Sequence, residues 1–315
     1  MAPDRVVAKG RLMVRNERAA LANQAPTAAD GVASRDWLQR VGVGFDDIRS
    51  EVRSGRWVKH GLQTVGLHTG PLGLEGRRWR AVWEIGENVA ALDGVSALQV
   101  AGLRGYAEDV LHVSVVHTCA VKRVQGVHLH KVIRRVEDEV SAAGIPRTRP
   151  PVAALRGAYW AVSDRQAALI LLMAVQQRLT TPQELLSWSG RLQGRKRRRF
   201  VKLVLSDIAA GVQSLGELDF ARMCRARGLP EPTRQAVIEG PRGRIYLDVR
   251  WDGYSLVVEI DGAQHREGLA VTDDNLRQNA VTLARNQVLR IDLIGLRLYE
   301  DAFMEQVALG LRRSR

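Results

Sequence analysis

Three carboxylates, Asp248, Glu259 and Asp261, crowd into the segment YLDVRWDGYSLVVEIDG. Carboxylates converging on one point can hold a hard divalent cation through oxygen, and Mg2+ typically takes one or two of them while keeping waters and substrate phosphate. Such an ion lowers the pKa of a bound water and stabilises charge on a phosphoryl oxygen, which is the chemistry of phosphodiester hydrolysis. At about 5 Å and an effective dielectric near 20, two carboxylates repel by roughly 3 kcal/mol, so a sheet that gathers them needs a neutralising partner. Mg2+ or Mn2+ is one solution. Arg244 and Arg250, acting as ordinary salt bridges, are the other.

The elements that must position these acids read as a β-hairpin. Asp252-Gly253 suits a two-residue primed turn, because both residue types tolerate positive φ. With that loop, Trp251 opposes Tyr254, Val249 opposes Leu256, Leu247 opposes Val258 and Ile245 opposes Ile260, an apolar face throughout. The other face carries Arg244, Tyr246, Asp248 and Arg250 on one strand, with Ser255, Val257, Glu259 and Asp261 on the next. Asp248 then lies opposite Val257 and diagonal to Glu259, while Asp261 shares Glu259's face by the two-residue period. Around the hairpin stand an amphipathic helix from Ser214 (SLGELDFARMCRARGL), a strand TRQAVIEG, a helix from about Thr272 to Arg285, a strand VLRI and a terminal helix from about Glu300. Up to the last strand the order is α, β, β, β, α, β.

The rest of the chain is strongly basic. Forty-seven Lys and Arg against 34 Asp and Glu give a net charge of +13 over 315 residues, which suits a partner carrying many phosphates. DNA is the expected partner, and the length favours more than one domain. Cys119 and Cys224 are too few for a disulfide framework or a cysteine-built zinc site, so a reducing cytoplasm is expected. The longest apolar run, AALILLMAV at 167–175, is too short to span a membrane, and no membrane partner is expected.

Between 31 and 67, Ser34 can cap a short helix bearing Trp37, Leu38 and Val41 on one face, with Gly42 as its stop. A second helix, about Phe45 to Ser54, turns Ile48 and Val52 inward and Arg49 and Arg53 outward, and two short strands follow around His60-Gly61. Two small helices and a hairpin make a winged helix-turn-helix over 1–70, in which the second helix enters a major groove; a helical pair with a solvated basic face is the plainer alternative. Residues 71–144 read as alternating strands and turns of an α+β middle region, clearest at VLHVSVV (110–116) and GVHLHKVI (126–133). His128 and His130 share one strand face. With no third ligand in the local sequence, they read as a polar face rather than a metal pair.

GIPRTRPP (144–151) reads as a rigid connector, followed by a helical region over 145–213 in which Ser163 with Gln166, and Thr181 with Pro182 and Glu184, mark helix starts. RLQGRKRRRFVK (191–202) holds seven basic side chains, among them Arg195, Lys196, Arg197 and Arg198, as a phosphate-contacting patch or a solvated helix start.

RIYLDVRW, LVVEIDGAQH and DDNLRQNAVTLARNQVLRI together resemble endonucleases related to the very-short-patch-repair (Vsr) enzymes, a branch of the PD-(D/E)XK superfamily, from Ser214 to the C-terminus. The resemblance implies a restriction-endonuclease-like core, with Asp248 and Glu259 as metal ligands, Asp261 standing where other members carry lysine, His265 protonating or orienting a group at the scissile phosphate, and Glu217 aimed at the metal. Glu217 also completes a capping box with Ser214, which needs no catalysis. Arg277 contacts a phosphate or balances Asp273 and Asp274 locally. GVASRDWLQRVGVGFDDIRSEVRSGRWVKHGLQTVGL, GVSALQVAGLRG, LHVSV and GIPRTRPPVAAL are similar to proteins with an AbiEi-type antitoxin winged helix. That similarity implies Arg49, Arg53, Arg56 and Lys59 near DNA. The combined expectation is a Mg2+- or Mn2+-dependent DNA endonuclease, α+β and multidomain, serving phage defence, a toxin-antitoxin function or DNA repair. Self-association or a defence-system partner protein is left open. The competing expectations are a DNA-binding regulator that uses the nuclease fold as scaffold, and a nuclease directed at RNA.

Overall fold

The computed structural model describes residues 13–141, 143–192, 196–210, 220–239, 245–254, 256–261, 270–282 and 288–313. The described residues form a mixed α/β chain with thirteen α-helices and three sheets. They divide into two compact units, one running through Ala97 and again over Ala107–Arg149, the other comprising Leu98–Tyr106 and the chain from Pro150 onward. No described helix is long and apolar enough to cross a membrane.

The first unit begins with α1 (Arg15–Ala22), β1 (Val32–Ser34), α2 (Arg35–Arg40), α3 (Phe45–Arg53), β2 (Val58–Lys59) and β3 (Thr64–Gly66), the strands forming an antiparallel sheet in the order β1-β3-β2. The Ser34 hydroxyl accepts the Trp37 amide at 3.1 Å and so caps α2, as the sequence anticipates. Leu38, Val43, Ile48, Trp57 and Val65 form the core beneath these elements. The inner face of α3 also carries charge. Asp47 and Glu51 are buried and meet the buried Arg18 of α1, whose Nε lies 2.8 Å from Glu51 Oε1 and Nη1 3.3 Å from Asp47 Oδ1.

Residues 71–144 depart from the expected run of strands. A twelve-residue helix, α4 (Leu74–Ile85), precedes β4 (Ala91–Leu92), and α5 (Gly94–Val100) precedes β5 (Leu111–Val116). In α4 the residues Arg78, Ala81, Val82 and Ile85 are buried at helical spacing, and Trp79 stacks on Trp83 one turn away. Burial and this i, i+4 pair override the strand preference of Trp and Val. β6 (Val127–Val132), β7 (Val140–Ser141) and β8 (Arg147–Thr148) complete a five-stranded sheet in the order β6-β5-β4-β8-β7. GIPRTRPP is therefore not a bare connector. Arg147 pairs with Leu92 on one side and Ser141 on the other, Thr148 pairs with Val140, and Pro150 and Pro151 open α6 (Pro150–Trp160), where missing amide protons cost nothing.

In the second unit α6 is followed by α7 (Asp164–Gln176), capped by Ser163, α8 (Pro182–Arg191), capped by Thr181 with Glu184, and α9 (Arg198–Ala210). Next come α10 (Phe220–Ala226), β9 (Arg234–Glu239), β10 (Ile245–Arg250), β11 (Val257–Asp261), α11 (Ala270–Thr282), β12 (Val288–Asp292), α12 (Leu293–Leu298) and α13 (Glu300–Arg313). The sheet order is β12-β11-β10-β9, antiparallel except for the parallel β11/β12 pair that flanks α11. Leu247, Val249, Trp251, Leu256, Val258 and Ile260 point into a core shared with Phe220, Phe303 and Met304, as the alternation requires.

Candidate functional site

Strand register brings the acids closer than the sequence suggests. Asp248 is directly opposite Glu259, which in turn sits beside Arg290 of β12; in the next row Tyr246 opposes Asp261, which sits beside Asp292. The expected pairing is thus corrected by two residues: Leu247 faces Ile260 rather than Val258, and Asp248 faces Glu259 rather than Val257. A slip of two preserves which face each side chain occupies.

The cause lies in the loop. Asp252 and Gly253 form the middle of a turn closed by Tyr254 N–H donating to the Trp251 carbonyl at 3.1 Å, yet neither takes positive φ, so the tight primed turn does not form. Trp251 and Leu256, which flank the longer loop, are both buried in the core. The Trp251 indole donates to the Pro230 carbonyl at 2.8 Å, Asp252 N–H donates to the Thr233 hydroxyl at 2.8 Å, and Thr233 N–H donates to the Arg250 carbonyl at 2.9 Å. These bonds tie the end of β10 to the segment entering β9.

The acids sit in contrasting surroundings. Asp248 is 1% exposed, and its Oδ2 accepts from Arg250 Nε at 2.6 Å, through one nitrogen rather than a two-pronged fork. That hydrogen bond, followed by Asp248's charge, raises the Arg250 pKa. Glu259 is partly exposed and lies 3.5 Å from Arg290 Nε, an arginine the sequence reading did not single out. Asp261 is buried. Its neighbour Asp292 caps α12, accepting Gly295 N–H at 2.6 Å and the Thr272 hydroxyl at 3.0 Å through Oδ1, while Oδ2 is buried without a hydrogen bond; burial pushes its carboxyl above the usual range.

Among the described residues the three acids do not form a ready-made cation cage. Among the described residues, the one group of three or more His, Cys, Asp or Glu side chains whose ligand atoms all lie within 4.8 Å of one another is His112, His128 and His130. His112 is the third imidazole that the local sequence around His128 hides. It comes from the adjacent strand, where LHVSVV and VHLHKV each carry histidine at the second residue and parallel pairing sets His112 beside His128. The matching offsets are visible in the sequence; that the two strands are parallel neighbours is not.

Glu217, His265, Arg195 and Arg244 lie outside the described residues. In the first unit Arg49, Arg53 and Lys59 are exposed, whereas Arg56 is held by Glu51, with Nε 2.5 Å from Oε2 and Nη2 3.0 Å from Oε1. Lys59 and Arg35 both stand over the exposed Phe45 ring, at 5.2 and 5.6 Å from its centroid. In the second unit Lys196 and Arg198 are exposed, but Arg197 donates to Asp164 at 2.8 Å and to the Val162 carbonyl at 2.9 Å. Arg277 balances Asp274 locally at 2.5 Å. Asp273 is instead gripped by both terminal nitrogens of Arg165, at 2.9 and 2.6 Å. No protein-family model matches the chain, and no curated protein is significantly similar to it.

Proposed function

We propose that the chain is a metal-dependent DNA endonuclease with a PD-(D/E)XK-type core, directed to DNA by a winged-helix segment near its N-terminus. The observation that carries this reading is the direct cross-strand pairing of Asp248 with Glu259, with Asp261 next on the same face, inside an α-β-β-β-α-β succession. The donors are hard carboxylate oxygens, which suit Mg2+ or Mn2+ rather than a softer ion. Asp248 and Glu259 would hold the ion, with Asp261 beside them. The bound ion would supply a water of lowered pKa and charge stabilisation at the phosphate. Asp261 stands where other members of the resembled superfamily carry lysine, so orienting the water falls to another group; resemblance nominates His265 for a group at the scissile phosphate and Glu217 for the metal. The net charge of +13 and the exposed Arg49, Arg53, Lys59, Lys196 and Arg198 favour phosphate contacts whose affinity falls steeply with salt.

Purified protein with Mg2+ or Mn2+ is expected to nick duplex DNA, and Asp248→Asn or Glu259→Gln to abolish nicking while DNA retention in gel shifts survives. Undiminished nicking in both variants rejects the site. RNA and DNA substrates offered side by side identify the sugar.

A second reading has its own observation. Arg250 at 2.6 Å from Asp248 and Arg290 at 3.5 Å from Glu259 already neutralise two of the acids, as in a non-catalytic DNA-binding regulator or antitoxin-like repressor using the same scaffold. DNA binding with no cleavage under any divalent cation, and no Mg2+-linked stabilisation, selects it.

A further inference from the structure

The imidazole cluster on the five-stranded sheet belongs to neither reading above. His112 on β5 and His128 on β6 are parallel register partners, and His130 follows His128 by two residues, so all three share one face. Their ring centroids are 5.5, 5.0 and 4.4 Å apart. His112 Nδ1 lies 2.9 Å from His130 Nε2, and one ligand nitrogen from each ring falls within 4.8 Å of the others. Two nitrogens bound tetrahedrally at Zn–N distances of about 2.0–2.1 Å stand about 3.3 Å apart, inside the span these rings already occupy. The ring planes lie within 14–32° of one another, so the rings turn to aim their lone pairs at one ion.

The surroundings prepare the rings as ligands. Glu108 Oε1 sits 3.3 Å from His112 Nε2, which favours the tautomer with its proton there and leaves the Nδ1 lone pair facing His130. The His112 amide donates to the Ser96 hydroxyl at 2.8 Å, fixing the backbone that carries it. Beside His130 on the same face Ser114 donates to Asp93 at 2.6 Å and accepts from Arg135 at 2.9 Å, so the neighbouring sheet surface is held by its own polar network.

We propose that His112, His128 and His130 form a binding site for a divalent transition ion of the Zn2+ class, with Glu108 orienting His112 and a fourth coordination position left toward solvent beside the exposed His128. Imidazole nitrogens select Zn2+, Ni2+, Co2+ or Cu2+ over Mg2+, and three protein ligands with an open fourth position are the arrangement of zinc sites that bind a water or an exchangeable ligand. Because β6 is the edge strand, the ion would also staple that edge to β5.

The full-length protein, stripped with chelator, is titrated with Zn2+ and separately with Co2+. Expected are one equivalent bound at the cluster, visible Co2+ absorption of a four-coordinate site, and a melting midpoint that rises with free Zn2+. His128→Ala is decisive, because the 2.9 Å contact involves only His112 and His130. A hydrogen-bonded histidine pair predicts unchanged Zn2+ binding in that variant. The metal site predicts weakening beyond the roughly 10–100-fold typical of losing an outer-shell partner. His130→Ala is expected to do the same, with circular dichroism confirming that each variant is folded. Asp248→Asn, in the other sheet, is expected to keep the Zn2+ equivalent whatever it does to Mg2+ response, so the two sites fail or stand separately. Absence of Zn2+ binding by folded wild-type protein, or binding indifferent to His128→Ala, overturns the assignment.

Discussion

Asp248 and Glu259 face each other directly across two antiparallel strands, and each has an arginine beside it, Arg250 at 2.6 Å and Arg290 at 3.5 Å. The arginines lower the repulsion of roughly 3 kcal/mol expected between carboxylates about 5 Å apart. Arg250 is half exposed and contacts one oxygen of Asp248, so a cation and the guanidinium can compete for the same carboxylate. Arg250→Ala is therefore expected to lower the melting midpoint in chelator and to enlarge the upward shift that millimolar Mg2+ produces. In Asp248→Asn that shift disappears. Thermal melts of the three proteins with and without Mg2+ check this, and an equal Mg2+ shift in all three would show that the ion binds elsewhere.

The second prediction concerns α3. Arg56's hydrogen bond, then Arg18's charge, hold the Glu51 carboxyl below its ordinary value of 4.5 in spite of burial. A depressed folded-state pKa contributes stability that is present above the unfolded value and lost as pH falls through the folded one. Stability is thus expected to decline as pH drops below about 4.5, and Glu51→Gln to flatten part of that decline. At neutral pH the same variant strips one partner from buried Arg18 while leaving Asp47, with an expected cost of about 3 kcal/mol, the low end for breaking a buried pair. Urea unfolding of wild type and variant across pH 3–7 measures both effects.

A third prediction falls on the β2–β3 turn. Glu84 of α4 accepts the amides of Leu62, Gln63 and Thr64 at 2.7–2.8 Å and the Thr64 hydroxyl at 2.8 Å, filling the turn with one carboxylate. Gly61 makes room for it: φ is +156°, and a Cβ there would collide with the Glu84 carboxylate. Gly61→Ala and Glu84→Ala are each expected to destabilise the first unit by about 1–3 kcal/mol, the scale of charge-assisted hydrogen bonds. Being two views of one contact, they should combine less than additively. A double-mutant cycle by chemical denaturation tests it.

Much of this architecture is legible in the sequence because it rests on local rules. Ser34, Ser163 and Thr181 cap helices as their types require, and the alternation from Leu247 to Ile260 predicts which side chains enter the core. Register and strand neighbourhood are not local. The pairing of Asp248 with Glu259 depends on how long a loop joins the two strands, next to an indole bonded to Pro230 twenty-one residues away, and the His112 cluster depends on which strands lie side by side. Likewise α4 hides behind Trp and Val, types that favour strands until burial decides. Arg56 and Arg197 look like free basic side chains in the sequence, but folding places Glu51 and Asp164 against them.

Trp251, just past the end of β10, is placed to anchor that register. Its ring is 3% exposed in the core, and its Nε1 donates to Pro230 at 2.8 Å. Trp251→Phe keeps most of the apolar contact and removes the donor, so a loss of about 1 kcal/mol is expected, with the Asp248–Glu259 pairing retained. Trp251→Ala removes the ring as well, which typically costs about 3–5 kcal/mol, and frees the loop to tighten toward the two-residue turn that Asp252-Gly253 would otherwise favour. Cation-linked stabilisation is then expected to survive in Trp251→Phe and to be lost in Trp251→Ala at temperatures where both remain folded. If Trp251→Ala keeps the full Mg2+ response, the indole is a core side chain only, and the strands hold their register without it.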